Sequence, residues 1–447
     1  MRRTSLLVRI SLIIVVLLSL VLSFLIWTNN QRYEKRTDTQ TATKRDVTNS
    51  NNTQQNLEQV YLPVEVLTVD SQKQPRIVYN HKESLTSEIR EAMQKWHIRT
   101  ARVSPAKYSE LTTRMNTVHL VYHDQISLKL FGKLIGQTAL KGAVRDHTFN
   151  RVIFSTEGNI NKVFFVNDQT NNIWQSQVTH ANVSQILSLL RTADFSAKVS
   201  LQNMQGQLRT FYPEGLSLRP YSYLITRRNE NTYISALLSD SANSSVDTHE
   251  SGHETTYSAG NYNDYQLTVD HSTDQLKYLD NTETDIPTTL QLLLEQSLKA
   301  IISIDNPLTD VRFFSTETGN DMVSFRSYVE GFPIFQKSDF GAFKVTYTNS
   351  GSRVNFSSRV DFSSRILQVP VPATNGRVKL PATTTILSQL NEAGYAQTEI
   401  QDIAVGYRWI PDKESTDIID LNPTYYVQIG NKWRDYHDWL TDKSGVN

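Results

Sequence analysis

The chain contains no cysteine among its 447 residues. That excludes a disulfide framework, a thiolate zinc site, an iron–sulfur cluster, a cysteine nucleophile and a lipid-modified cysteine anchor. Stability outside a reducing compartment must then come from packing alone. Net charge is absent too: Lys and Arg number 45, and so do Asp and Glu. A global nucleic-acid-binding surface would need a cationic excess, so nucleic acid is not an expected partner. Apolar residues make up only 38% of the chain, below the roughly 45–50% of ordinary globular proteins. Small, thin domains with polar loops follow, and the length suggests two to four of them. G-x-S-x-G, P-loop and G-x-G-x-x-G motifs are missing from the sequence.

One long apolar run is present. Ile10 to Trp27 carries no charge, and Leu6 and Leu7 extend it. Eighteen helical residues span about 27 Å, close to a bilayer core of roughly 30 Å. Arg9 can snorkel to the head groups, and Trp27 stands where an interfacial aromatic belongs. The run is longer than a signal-peptide core, and no small-residue cleavage pattern follows it. An uncleaved anchor over residues 6–27 is expected, after a short stretch 1–5. Cations lie on both sides, with Arg2, Arg3 and Arg9 before and Arg32, Lys35, Arg36, Lys44 and Arg45 after. The charge count therefore leaves the orientation open. Ser19 and Ser23 form a small-xxx-small pair on one helix face, where a second membrane helix can approach closely.

Residues 28–56 read as a flexible linker. Within 37–56, fourteen of twenty residues are Thr, Asn, Gln or Ser, and Ala42 and Val47 are the only aliphatic ones. Beyond it the pattern is α+β. An N-terminal domain is expected over 57–195, a middle domain over 196–303 and a C-terminal domain over 304–441, with a tail over 442–447. Ser84 is the expected cap of a helix whose apolar residues are Leu85, Ile89, Ala92, Met93 and Trp96. A hairpin is expected around Asn167–Asn172. Pro287 is expected to open a helix with Leu290, Leu293, Leu294, Leu298 and Ile301 on one face. The segment 239–261 reads as a polar loop. LRTFYPEGL at 208–216 echoes FRSYVEGF at 325–332, a weak internal repeat.

Two catalytic patterns need weighing. His249-Glu250-Ser251-Gly252-His253 matches H-E-x-x-H, which binds zinc only when both His share a helix face. Here the surroundings are Ser, Asn, Asp, Thr and Gly, which give a helix no apolar stripe to dock. Ser104-Pro105-Ala106-Lys107, Ser241-Ala242-Asn243 and Lys443-Ser444-Gly445 occur in the order of penicillin-binding signatures. The K-S-G triplet needs a strand beside a buried Ser-bearing helix, and its place here leaves no room for that. Ser104 before Pro105 reads as a plain helix cap. The late aromatics Tyr407, Trp409, Tyr425, Tyr426, Trp433, Tyr436 and Trp439 read as core plus a C-terminal lid, with a binding surface as the sharper alternative.

The anchor exit VLLSLVLSFLIWTNNQRYEK, the pair FNRVIFS and KVFFVNDQTNNIW, and the late run FRSYVEGFPIFQ, GAFKVTY, IQDIAVGYRWI and LNPTYYVQIGNKW together resemble the YycH (WalH) family. The order and spacing cover nearly the whole chain. The resemblance implies a single-pass membrane protein of low-GC Gram-positive bacteria, with a cytoplasmic N-terminus and a three-domain extracytoplasmic region. The last two domains would resemble each other and the sister protein YycI. It further implies a non-enzymatic regulator without cofactor or metal, assembled with YycI and the sensor histidine kinase YycG (WalK), which controls cell-wall metabolism genes. Contact would run partly through the membrane helices. The rival expectations are an acyl-hydrolase using Ser104 and Lys107, and a ligand-binding adaptor with a deep apolar pocket.

Overall fold

The computed structural model describes residues 45–444, except short segments at 81–83, 142–145, 159, 239–244, 262, 284–285, 309, 318–320, 337–341, 350–355, 372–375 and 413–414. The expected membrane helix 6–27 lies outside the described residues. Among the described residues no helix is long and apolar enough to cross a membrane.

A helix spans Arg45–Val60, so the last twelve residues of the expected flexible linker are helical. Polar composition did not prevent this, because helices in proteins are held mainly by tertiary packing. Leu57, Val60 and Tyr61 are buried at its end. The Tyr61 hydroxyl donates to the Leu294 carbonyl at 2.6 Å, and its ring meets those of Phe313 and Phe325.

The first sheet has nine strands, all antiparallel, between Glu65 and Lys198. Its faces follow strict alternation. Val66, Val78, Leu120, Val152 and Phe154 pack with the helices Leu85–Gln94, Leu128–Leu134 and Val183–Arg191. Leu67, Ile77 and Val121 point the other way, into the core of the C-terminal part. Ser84 caps its helix as expected, accepting from the Ser87 amide. The hairpin at Asn167–Asn172 forms, with Asn171 in the left-handed region.

The second sheet has fourteen strands in two halves. One half joins the meander Asp247–Glu283 to the strands Phe356–Ser363, Phe343–Asn349, Met322–Val329 and Val311–Glu317. Its inner face holds Leu276, Phe362, Phe343 and Phe325 in one cross-strand row, packed against the helix Leu290–Ser303. Thr289 caps that helix, so it starts three residues later than Pro287 suggested. The hydroxyl accepts an amide hydrogen bond that a proline ahead of it cannot replace. The other half is built on the long hairpin Ile400–Pro411 and Ile418–Ile429, with Tyr221–Arg227 and Arg365–Val371 beside it. Helices Thr383–Glu392 and Tyr436–Ser444 cover its core.

The strand Phe332–Phe335 joins the halves. It runs antiparallel to Met322–Val329 and parallel to Ile400–Pro411, with Ile334 opposite Tyr407. Gly406 permits this join. A Cβ there would lie 2.7 Å from the Pro333 carbonyl oxygen and 2.8 Å from the Phe335 ring. Strand pairing therefore crosses the boundary expected at 303/304, since Gln275–Glu283 is bonded to Phe356–Ser363. Tyr221–Arg227, expected in the middle domain, pairs within the C-terminal half. Residues Thr53–Asn447 form one compact unit.

Candidate functional site

Three parts of the molecule meet at an open cleft of about 860 Å³. The first sheet contributes His123 and Asp124, from the strand Thr117–Ser127. The hairpin Ser200–Phe211 contributes Gln207 and Arg209, and the C-terminal half contributes Asp402 and Trp433. The floor is the outer face of the middle half-sheet. Because strands alternate, the residues between the inner Phe row emerge here as Ser324, Lys344, Asp361 and Lys277, again in one cross-strand row. The first two line this cleft, whereas Asp361 and Lys277 line a neighbouring pocket on the same face.

The wall is tightly bonded. Arg209 donates to the His123 carbonyl at 2.8 Å and to the Asp402 carboxylate. Asp402 also accepts from the Ile403 amide at 2.8 Å. Burial pushes the Asp402 carboxyl above its ordinary value, against the pull of the Arg209 guanidinium. His123 stacks on Phe314 with ring centroids 3.9 Å apart, and its Nε2 lies 3.6 Å from Asp402. Burial, and then the charges of Arg209 and Arg326, hold its imidazole well below the usual histidine range. At neutral pH that contact is thus a neutral imidazole beside Asp402, and not an ion pair. Asp124 accepts from the Thr316 amide and hydroxyl at 2.8 and 2.9 Å, tying the first sheet to the second.

Arg326 is 1% exposed. Its guanidinium lies between the Phe314 and Phe335 rings, 4.5 and 4.0 Å from their centroids. Phe335 in turn stacks on Tyr426 at 3.8 Å. Each such desolvated cation–π contact contributes about 2 kcal/mol.

The expected partner face, Ser19 and Ser23, and the interfacial anchors Arg9 and Trp27 lie outside the described residues. Ser104 and Lys107 do not form a catalytic pair. The Ser104 hydroxyl donates to Gln175 at 3.1 Å and accepts from the Ala106 amide, while Lys107 is exposed and pairs with Glu110 at 3.1 Å. Ser104 caps a turn, and the helix Tyr108–Thr112 starts later, with Lys107 at its cap position. Lys443 and Ser444 end a helix and form no strand.

His249 and Glu250 lie on the strand Asp247–Ser251, paired with Glu254–Ala259, where a polar loop was expected. Alternation hides this in composition: Thr255 and Ala259 are buried, and Thr256, Tyr257 and Ser258 between them are part-buried. The motif needs His249 and His253 on one face of a helix, and here His249 lies on a strand while His253 follows the hairpin turn, so the helical ligand spacing is not formed. Gly252, with φ +62°, makes the turn before His253. Among the described residues no cluster of three or more metal-ligating side chains occurs.

The late aromatics divide. Tyr407, Tyr425, Tyr426, Tyr436 and Trp439 are buried, while Trp433 is half-buried in the cleft wall and Trp409 lines the neighbouring pocket. Sequence reasoning missed His123, Arg209 and Arg326 as a group. The echo between 208–216 and 325–332 held the signal, because it aligns Arg209 with Arg326, and both reach the same cleft. Each echo is a strand followed by a turn with a left-handed glycine, Gly215 or Gly331.

Comparison with known proteins gives two family matches: "YycH protein, N-terminal domain" over residues 7–193 and "YycH protein, C-terminal domain" over residues 210–443. The crystal structure of YycH from Bacillus subtilis is similar in fold, with a TM-score of 0.66 at 15% identity, covering 85% of this chain and 96% of that one. An uncharacterized protein from Eubacterium rectale gives a TM-score of 0.31 at 11% identity, over 47% of this chain and 76% of that one. No curated protein matches.

Proposed function

Since this chain belongs to the YycH family, we propose that it is a membrane-anchored accessory regulator of a sensor histidine kinase of the YycG (WalK) type, acting with a YycI-like partner. The observation that carries this reading is the pair of family matches, which together take in both the apolar N-terminal run and the sheet-rich remainder. In this reading residues 6–27 cross the membrane, the N-terminus is cytoplasmic and the bulk is extracytoplasmic. The partner biases the kinase by binding its signalling states with different affinity, since a partner without such a difference shifts nothing. Ser19 and Ser23 form the face on which a kinase or YycI-like helix packs. Each hydroxyl adds an interhelical hydrogen bond of roughly 0.6 kcal/mol. An acyl-hydrolase reading has no support from Ser104, whose hydroxyl is bonded to Gln175, or from the exposed Lys107.

The test is co-purification from solubilised membranes. Wild-type chain should retain the kinase, and Ser19→Leu with Ser23→Leu should weaken retention without impairing insertion, because Leu favours the membrane interior. Retention equal to wild type in the double variant would move the contact off this face. No retention of kinase by the wild type would sink the regulatory reading.

A further inference from the structure

The cleft has a chemical bias that its tightly bonded wall does not explain. The two carboxylates of its wall are engaged, Asp402 by Arg209 and the Ile403 amide and Asp124 by Thr316, while Glu317 and Asp321 stand at the rim. Its floor is cationic. Arg326 lies two residues along the strand from Ser324, Ser324 stands opposite Lys344, and Arg359 is diagonal to Lys344 across the next strand. Arg359 bonds Asp361 at 3.0 Å, and Asp361 also stands directly opposite Lys344, so Arg326, Lys344 and Arg359 share this one acid on their part of the floor. Among the described residues the Lys344 side chain makes no hydrogen bond or ion pair, although it is part-buried and lines the cleft. A lysine with its stem packed and its ammonium turned to an open polar space is a ready partner for an anion.

The size of that anion is limited by the rim. Glu317 and Asp321 stand at one end of the cleft. Glu317 belongs to the row Glu317, Met322, Thr346, Arg359, three strand spacings or about 14 Å from Arg359. A long polyanion lying over the floor would meet these carboxylates and be repelled. One compact anionic group is not. The remaining lining is rich in amides and hydroxyls, including Gln207, Gln428 and Thr346, with Trp433 as the aromatic wall. These groups suit a neutral polar body attached to the anion.

We propose that this cleft is a ligand-binding site for a small polar molecule bearing one compact anionic group, a carboxylate or a phosphate, with Lys344 as its anchor and Arg359 as the flanking cation. The ligand's polar body lies along Gln207 and Gln428 toward Trp433. The position of the cleft matters, because a ligand there touches the first sheet, the hairpin and both halves of the second sheet together. The proposal does not depend on the kinase reading, and its test involves no kinase.

The experiment is calorimetric titration of the full-length chain in mild detergent at low ionic strength, with inorganic phosphate, triglycine and triglycine amide as probes. Wild-type chain should show saturable binding of phosphate or of triglycine. Lys344→Gln should weaken it about tenfold, as expected for losing one charge-assisted hydrogen bond. Its melting temperature should stay at the wild-type value, because the Lys344 side chain has no bonded partner among the described residues. Lys379→Gln, on an exposed position away from the cleft, should bind as wild type. Phosphate binding alone identifies a phosphate-type ligand, and triglycine binding that the amide lacks identifies a peptide carboxylate. Absence of saturable binding for both probes overturns the proposal. So does Lys344→Gln binding as tightly as wild type, or Lys379→Gln losing as much as Lys344→Gln.

Discussion

His119 and His123 sit four residues apart on the strand Thr117–Ser127, and burial holds both imidazoles well below the ordinary 6.5. Arg151 adds to the effect at His119. The folded chain therefore binds fewer protons at these sites than the unfolded chain once the pH drops below about 6.5. Stability falls with pH there, by up to about 1.4 kcal/mol per pH unit for each histidine. Glu65 and Asp402 act in the opposite sense, because burial raises their carboxyls in the folded state. Comparing slopes cancels that contribution. The melting temperature of wild type should fall more steeply between about pH 7.5 and about pH 5 than that of His119→Gln with His123→Gln. Parallel slopes would show that these histidines titrate normally. Neither residue was legible as a buried group in the sequence, because nothing in its neighbours marks a histidine on a strand as inward-facing. Arg326 was hidden for a related reason: an arginine on a strand reads as outward-facing, and only the placement of Phe314 and Phe335 shows it stacked between rings.

Local elements were readable where one signal decided them. The capped helix Leu85–Gln94 and the hairpin at Asn167–Asn172 both rest on neighbouring residues. Pairings between distant strands were not readable. Nothing in TYR-rich segment 221–227 says that its partners are Ile418–Ile429 and Arg365–Val371, since any alternating strand satisfies the same backbone bonds. The polar helix Arg45–Val60 was missed because its order comes from its last turn. Leu57, Val60 and Tyr61 are buried there, each contributing about 1.5–3 kcal/mol. A chain of residues 53–447 should therefore melt cooperatively, and one starting at Pro63 should lose a large share of a domain's usual stability of roughly 5–15 kcal/mol. Equal denaturation midpoints for the two chains would show that this last turn is dispensable.

At the scale of the whole molecule, the second sheet links the middle and C-terminal halves through one short strand, Phe332–Phe335, and the first sheet is tied to it by Asp124, Arg312 and Tyr61. Arg312 donates across that junction to the Pro63 carbonyl at 3.1 Å and to the Ser84 hydroxyl at 3.0 Å. Family membership was legible from co-occurring segments along nearly the full chain, while the cleft was not, because its residues come from positions 123 to 433. The central claim is that this chain regulates a sensor kinase. The direct measurement is the phosphorylation level of the YycG-type kinase reconstituted in vesicles with its YycI-like partner, with and without the full-length chain. The account predicts a reproducible several-fold change, reduced by Ser19→Leu with Ser23→Leu, on the order of the 1–3 kcal/mol typical of coupling between sites. Identical kinase phosphorylation with and without the chain, at saturating amounts, would contradict it.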